Sequence, residues 1–237
     1  MKALVDLHTH TVASGHAYST WNENVKAAQK KGLKVLGISE HAPMMPGTCK
    51  EIYFSNFKVL PEYVGELRVL NGIEANIYDF HGNIDVSEEL CLKLDYIIAS
   101  LHTVCIESGS VAQNTAAVIG AMRNPYVKII GHPDDDQFPL DYEEIVQAAK
   151  AEKVALELND SSLNPLCARK GGEKNIRKLL EKCVDHKTKI IMGTDSHYCD
   201  EVGRFRDTYK LLEEIKFPEK LIINMDLQQL PYVLRKH

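Results

Sequence analysis

Imidazoles and carboxylates stand at the ends of six short apolar runs in this chain. Leu4–Leu7 leads into His8-Thr9-His10, Val35–Glu40 into His41, and Leu70–Ile73 into Glu74. Tyr96–Leu101 leads into His102, Val127–Gly131 into His132, and Ile190–Thr194 into Asp195-Ser196-His197. His16 follows in a Ser-Gly-His-Ala loop close behind His10. Imidazole and carboxylate are the ligands that divalent transition metals take. In His8-x-His10 and Asp195-x-His197 the paired side chains share a face at a strand end, where they can clasp one ion. Any one of these residues alone is better read as a hydrogen-bonded structural group, because H-x-H pairs are common. Their joint occurrence overturns that reading, since unrelated histidines have no reason to gather at strand ends. Of the 10 histidines, His81, His186 and His237 fall outside the pattern. They are expected in a polar loop, at a helix end that favours a cation, and at the terminus.

The elements that must position these groups are legible. Short β-branched runs bounded by glycine or polar residues read as buried parallel strands. A sixth strand in order, Val154–Leu158, carries no expected ligand, and Leu221–Ile223 is a possible eighth. Between the runs lie helical patterns. Thr20-Trp21-Asn22-Glu23 has capping-box spacing and opens a helix to about Lys31, stopped by Gly32. Asp141-Tyr142-Glu143-Glu144 opens another, with Ile145, Ala148 and Ala149 on one face. Ser110–Met122, Glu173–His186 and Arg204–Lys216 complete the set. Strand alternating with helix implies parallel βαβ units, and a barrel of such units gathers the carboxyl ends of its strands on one face.

At 237 residues and 44% hydrophobic, the chain is expected to fold as a single barrel domain over 1–237. A net charge of −5 provides no footprint for long nucleic acid. The six cysteines form no C-x-x-C pair and read as free thiols in a reducing compartment. With no secretory apolar region and no apolar run near the length of a membrane span, the expected setting is cytoplasmic. Trp21, Phe138 and Tyr232 fit either internal packing or an interface, so a homo-oligomer stays open.

Asp6-Leu7-His8-Thr9-His10, Ser39-Glu40-His41-Ala42-Pro43, Gly72-Ile73-Glu74, Ser100-Leu101-His102, Gly131-His132-Pro133 and Gly193-Thr194-Asp195-Ser196-His197 resemble the motifs of the PHP (polymerase and histidinol phosphatase) superfamily. In order and spacing they look most like its small stand-alone YcdX-type phosphatases. The resemblance implies an α/β fold, a distorted (β/α)7 TIM-like barrel, with three divalent metal ions at the carboxyl ends of the strands. It places one ion on His8, His10, Glu74 and Asp195, a second on Glu74, His102 and His132, and a third on His16, His41 and His197. Glu74 would then bridge two ions, and Glu74 and Asp195 would be the catalytic carboxylates.

Three dications against two carboxylates leave such a cluster strongly positive, which suits a small dianionic phosphate. Water bridging two metals loses its proton near neutral pH. The expectation is hydrolysis of small phosphomonoesters by a metal-bridged hydroxide. Zinc suits the ligand set, with manganese and iron close behind. Asp6 and Glu40 neighbour ligands and read either as groups that orient imidazoles through the far ring nitrogen or as plain polar strand residues. Asn159, beyond the sixth strand, is expected to face substrate; Arg169 reads either as a phosphate ligand through its guanidinium fork or as a solvated loop cation. Two alternatives remain: a histidinol-phosphate phosphatase or phosphodiesterase/exonuclease of the same superfamily, and a metal-binding module without catalysis.

Overall fold

The computed structural model describes residues 1–235, so His237 lies outside the described residues. In chain order its elements are β1 (Val5–Asp6), α1 (Trp21–Lys31), β2 (Val35–Ile38), α2 (Glu51–Ser55), β3 (Tyr63–Val64), β4 (Leu67–Asn76), α3 (Glu88–Cys91) and β5 (Tyr96–Ser100). There follow α4 (Val111–Met122), β6 (Val127–Ile130), α5 (Tyr142–Glu152), β7 (Ala155–Asn159), α6 (Gly172–His186), β8 (Ile190–Gly193) and α7 (Arg206–Glu214). The strands run in the order β1-β2-β4-β5-β6-β7-β8, each pair parallel. This is the nearly closed, distorted (β/α)7 barrel. Local chemistry sets the helix ends as read from the chain. Thr20 and Glu23 form the reciprocal capping box of α1, and Gly32 ends it in the left-handed conformation. Asp141 accepts from the Glu144 amide at 3.1 Å to start α5.

The barrel interior is one apolar column. Val5, Val35, Leu70, Tyr96, Ile98, Ile129, Ala155 and Ile191 meet there, one or two from each barrel strand. Tyr96 is fully buried because β2 and β4 leave room for it: a Cβ on Gly37 or Gly72 would lie 2.1 or 2.2 Å from its hydroxyl or ring. Its hydroxyl donates to Leu7 O at 2.6 Å. A larger apolar layer, including Ile73, Ile97, Ile130, Leu156, Leu179 and Leu211, fills the space between sheet and helices.

The possible eighth strand does not form. Leu221–Ile223 falls in short 3₁₀ turns (Glu219–Leu221 and Ile223–Met225), leaving a single bridge from Ile222 to Ile190. The buried Asn224 side chain fills the seam instead. Its Oδ1 accepts from Met192 N at 2.7 Å, and its Nδ2 donates to Met192 O and Val5 O at 2.8 Å each. One amide thus satisfies backbone on both β8 and β1, which a strand would otherwise have to do. Asp6 ties the same seam at the other end, accepting from Thr194 Oγ1 at 2.6 Å and Gly203 N at 2.9 Å. Beneath the column, Leu230 and Val233 close the barrel bottom. Phe138 is buried, while Trp21 and Tyr232 pack half-buried against core clusters. The connection after β2 carries α2 and a hairpin of β3 on β4, which composition alone did not reveal.

Candidate metal centre

Alternation along each strand turns an apolar column at the bottom into a polar ring at the mouth. On β4 the inward positions run Leu70, Gly72, Glu74, Asn76; on β7 they run Ala155, Glu157, Asn159; on β8 Ile191 and Gly193 lead to Asp195. Glu74 therefore lies inside a ten-residue strand and not beyond the end of one, as the sequence reading had it. Backbone strain aims two of the groups. His132 and Asp195, each just past its strand, adopt φ of +25° and +52°, a region that L residues enter at a cost of about 1 kcal/mol or more.

The two oxygens of Glu74 face different partners. Its Oε1 lies 2.9 Å from His132 Nε2 and 3.2 Å from His102 Nε2. Its Oε2 lies 2.6 Å from His41 Nδ1, 3.4 Å from His8 Nε2 and 3.5 Å from His10 Nε2. Asp195 Oδ1 approaches His10 Nε2 at 3.3 Å and His8 Nε2 at 3.6 Å, while Oδ2 turns to Arg169. Eight of the nine residues expected as ligands thus fall into four overlapping groups whose ligand atoms lie within 4.8 Å of one another. These are His8/His10/Glu74, His8/His132/Asp195, His41/Glu74/His102 and His10/His41/His197. His16 belongs to none of the four. It is exposed, with its ring 4.9 Å from that of His41 and 4.7 Å from that of His197.

These residues fit metal ions on the chemistry of their atoms. His8 Nε2, His10 Nε2, both ring nitrogens of His41, and Glu74 Oε2 are buried without a hydrogen-bond partner. Even the 2.6 Å approach of His41 to Glu74 lacks hydrogen-bond geometry, as expected when both lone pairs aim at a common third point. Orphaned polar atoms at this density are costly unless something satisfies them. Electrostatics point the same way. Burial works against the Glu74 carboxylate, yet His41, His8 and His102 hold it well below the usual carboxylate range. Burial likewise opposes charge on His8, but Glu157, Glu74 and Asp195 outweigh it and raise its pKa. Buried His10 is pushed the other way, by desolvation and by His41, and so keeps a lone pair to give. The pocket calls for cations.

A ring of supporting contacts fixes the imidazoles. Glu157 Oε1 lies 2.7 Å from His8 Nδ1, and Asn76 Oδ1 lies 2.7 Å from His102 Nδ1. His10 Nδ1 meets Ser14 Oγ at 3.1 Å, and that hydroxyl donates to Glu40 Oε2 at 2.6 Å. Among the described residues Glu40 reaches an imidazole through Ser14, and Asp6 touches none, being taken up by Thr194 and Gly203; the orienting role falls to Glu157. Sequence reading missed Glu157. Its signal was available: a carboxylate between Leu156 and Leu158, buried, on the one strand without a ligand of its own. A Cβ on Gly193 would sit 1.9 Å from Glu157 Oε1, so β8 needs glycine there to admit the carboxylate.

Asn159 and Arg169 do reach the site. Arg169 Nη2 donates to Asn159 Oδ1 and Asp195 Oδ2 at 2.9 Å each, and its Nε to Ser162 Oγ at 2.9 Å. Burial disfavours the guanidinium charge, but Asp195 and the other anions around it keep its pKa raised. Beside Asp195 and His197 opens a polar cavity of about 460 Å³, lined also by Asp160, Glu201, Arg204, Arg206 and Asp207. His81 and His186 lie elsewhere, His186 closing α6 with its Nε2 2.6 Å from Glu143.

Residues 6–161 match the PHP domain family. The chain belongs to that family. A probable phosphatase of Clostridium botulinum is 49% identical over 224 residues, covering 94% of this chain and 91% of that protein. One from Acetivibrio thermocellus is 44% identical over 237 residues, covering 100% and 97%. Among solved structures, the histidinol phosphate phosphatase of Lactococcus lactis, complexed with zinc, L-histidinol and phosphate, superposes with a TM-score of 0.62. It is 16% identical and covers 92% of this chain and 95% of its own, a likeness that carries the fold alone. The fold and family expected from the motifs agree with these relatives, as does the phosphatase class their names give.

Proposed function

We propose that this PHP protein is a metal-dependent phosphatase of small phosphomonoesters, with a three-ion centre at the barrel mouth. The observation that carries this reading is the divided Glu74 carboxylate, one oxygen facing His102 and His132 and the other facing His8, His10 and His41. A carboxylate so placed is suited to bridge two ions. His8, His10, Glu74 and Asp195 would hold the first and Glu74, His102 and His132 the second. The third would fall to His41 and His197, completed by His16 or His10. Zinc fits this nitrogen-rich set, and manganese or iron would also be accepted. When bound, such ions supply Lewis acidity that acidifies water and neutralises phosphate charge.

The chain's own groups prepare that chemistry. Arg169 holds Asp195 by Oδ2 and thereby presents Oδ1 to the imidazoles of His8 and His10. Its buried charge also stands where it can take a phosphoryl oxygen, with Asn159 fixing its orientation. The cavity beside Asp195 is of small-molecule size, which supports small monoesters. Glu74→Gln tests the reading: it keeps the side-chain shape but removes the bridging charge. The expected result is a folded protein that binds fewer ions and releases no phosphate. Full activity in that variant would overturn the bridging role.

A further inference from the structure

The end of the barrel opposite the metal centre carries a second cavity, of about 730 Å³. Three of its walls are lysines placed where three consecutive parallel strands begin. Lys128 lies at the start of β6, Lys153 just before β7 and Lys189 just before β8, and Arg235 joins them. Among the described residues, Glu152 is the acidic one on the lining. In a chain with 33 acidic and 28 basic residues, four cations around one cavity reverse the overall sign.

The remaining wall is flat and partly apolar. Tyr126 and Tyr232, both half-buried, line it with the prolines that flank them in sequence, Pro125 and Pro231. Tyr126 is pinned, its hydroxyl donating to Glu88 at 2.9 Å. Lys189 is positioned too: its ammonium donates to Lys220 O and Gln229 Oε1 at 2.5 Å each. An ammonium has three protons to give, so this one holds a fixed place with donor capacity left over. Burial and the nearby Lys150 and Lys220 lower its pKa against the opposing pull of Asp226.

We propose that this cavity is a second ligand site, for a small phosphorylated compound bearing a flat ring, with nucleoside phosphates as the representative class. The lysines would take the phosphates and the tyrosine wall the ring. The volume lies within the range of small-molecule sites. This assignment does not depend on the reaction at the barrel mouth, whose residues follow the other ends of the same strands.

The test is calorimetric titration of the metal-loaded, full-length protein with α,β-methylene-ADP, whose P–C–P bridge a phosphatase cannot cleave. Methylenediphosphonate and adenosine serve as the charge-only and ring-only probes. Because the metal centre also attracts phosphates, the same titrations are run on Lys153→Ala/Lys189→Ala and on Tyr126→Leu. Loss of two charge-assisted contacts should weaken the lysine-dependent binding at least about tenfold. The expected result is a saturable event of one ligand per chain that the lysine pair weakens, that Tyr126→Leu weakens less, and that neither single-feature probe matches. Turnover of a small phosphomonoester should be unchanged in both variants. Binding that ignores the lysine substitutions, or no binding to the wild type at millimolar ligand, would overturn the site. Equal affinity for methylenediphosphonate at the lysine-dependent event would overturn its assignment to a ring-bearing ligand.

Discussion

Glu157 and His8 are joined by a 2.7 Å contact between Oε1 and Nδ1, and the other oxygen of the same carboxylate accepts the His132 amide at 2.7 Å. One buried side chain on β7 therefore orients an imidazole from β1 and fixes the strained turn that carries a second imidazole after β6. Partners of this kind usually affect metal affinity or activity 10- to 100-fold. Glu157→Gln should therefore fold, yet lose metal on dialysis and fall about 10- to 100-fold in kcat. Metal content and turnover measured side by side check this, and wild-type values for both would remove Glu157 from the account.

Arg169 holds Asp195 and Asn159 through Nη2 and Ser162 through Nε, a spread of donors that a single ammonium cannot reproduce. Hydrogen bonds between charged groups contribute about 1.5–3 kcal/mol, so Arg169→Lys should lower kcat/KM for a phosphomonoester about 10- to 100-fold. Metal content should fall less than in Glu157→Gln, because Arg169 orients Asp195 alone whereas Glu157 holds both His8 and the His132 turn. Steady-state kinetics together with metal analysis separate these effects.

Away from the mouth, Asn224→Ala breaks the seam between β8 and β1. Three buried backbone groups lose their partner, for an expected loss of about 3 kcal/mol in urea unfolding. Turnover per folded molecule should stay within about twofold of wild type, since the seam lies below the polar ring. An unchanged unfolding midpoint would show that water replaces the amide without cost.

Chelation should lower thermal stability and not merely activity. The orphaned nitrogens of His8, His10 and His41 and the Glu74 oxygen are left buried when nothing binds them. Ions bound at 100 times their Kd would stabilise the fold by about 2.7 kcal/mol through linkage. Melting curves before chelation, after it, and after return of metal should fall and recover together.

Much of this site was legible because parallel strands in a barrel bring their carboxyl ends together. His8, His10, His41, His102, His132, Asp195 and His197 each follow an apolar run, and the structure gathers them around Glu74. What escaped the sequence depends on three-dimensional partnership. Asp6 and Glu40 adjoin ligands in the chain, but their carboxylates are taken up by Thr194 and Gly203 and by Thr11 and Ser14; Glu157, two residues before Asn159, faces inward and finds His8. Leu221–Ile223 has the composition of a strand but finds Asn224 in the place an eighth strand would occupy. Neither outcome is written in local propensity, because tertiary pairing decides it. His16, near in sequence, lies at the exposed edge of the cluster.

The most direct test is release of inorganic phosphate from a panel of small phosphomonoesters, histidinol phosphate among them. The protein is first stripped by chelation and then given zinc, manganese or iron one at a time. The account predicts no release from the stripped protein, recovery with at least one metal, and none from metal-treated Glu74→Gln. No release with any metal from folded, metal-loaded wild type would contradict it, as would undiminished release from the stripped protein.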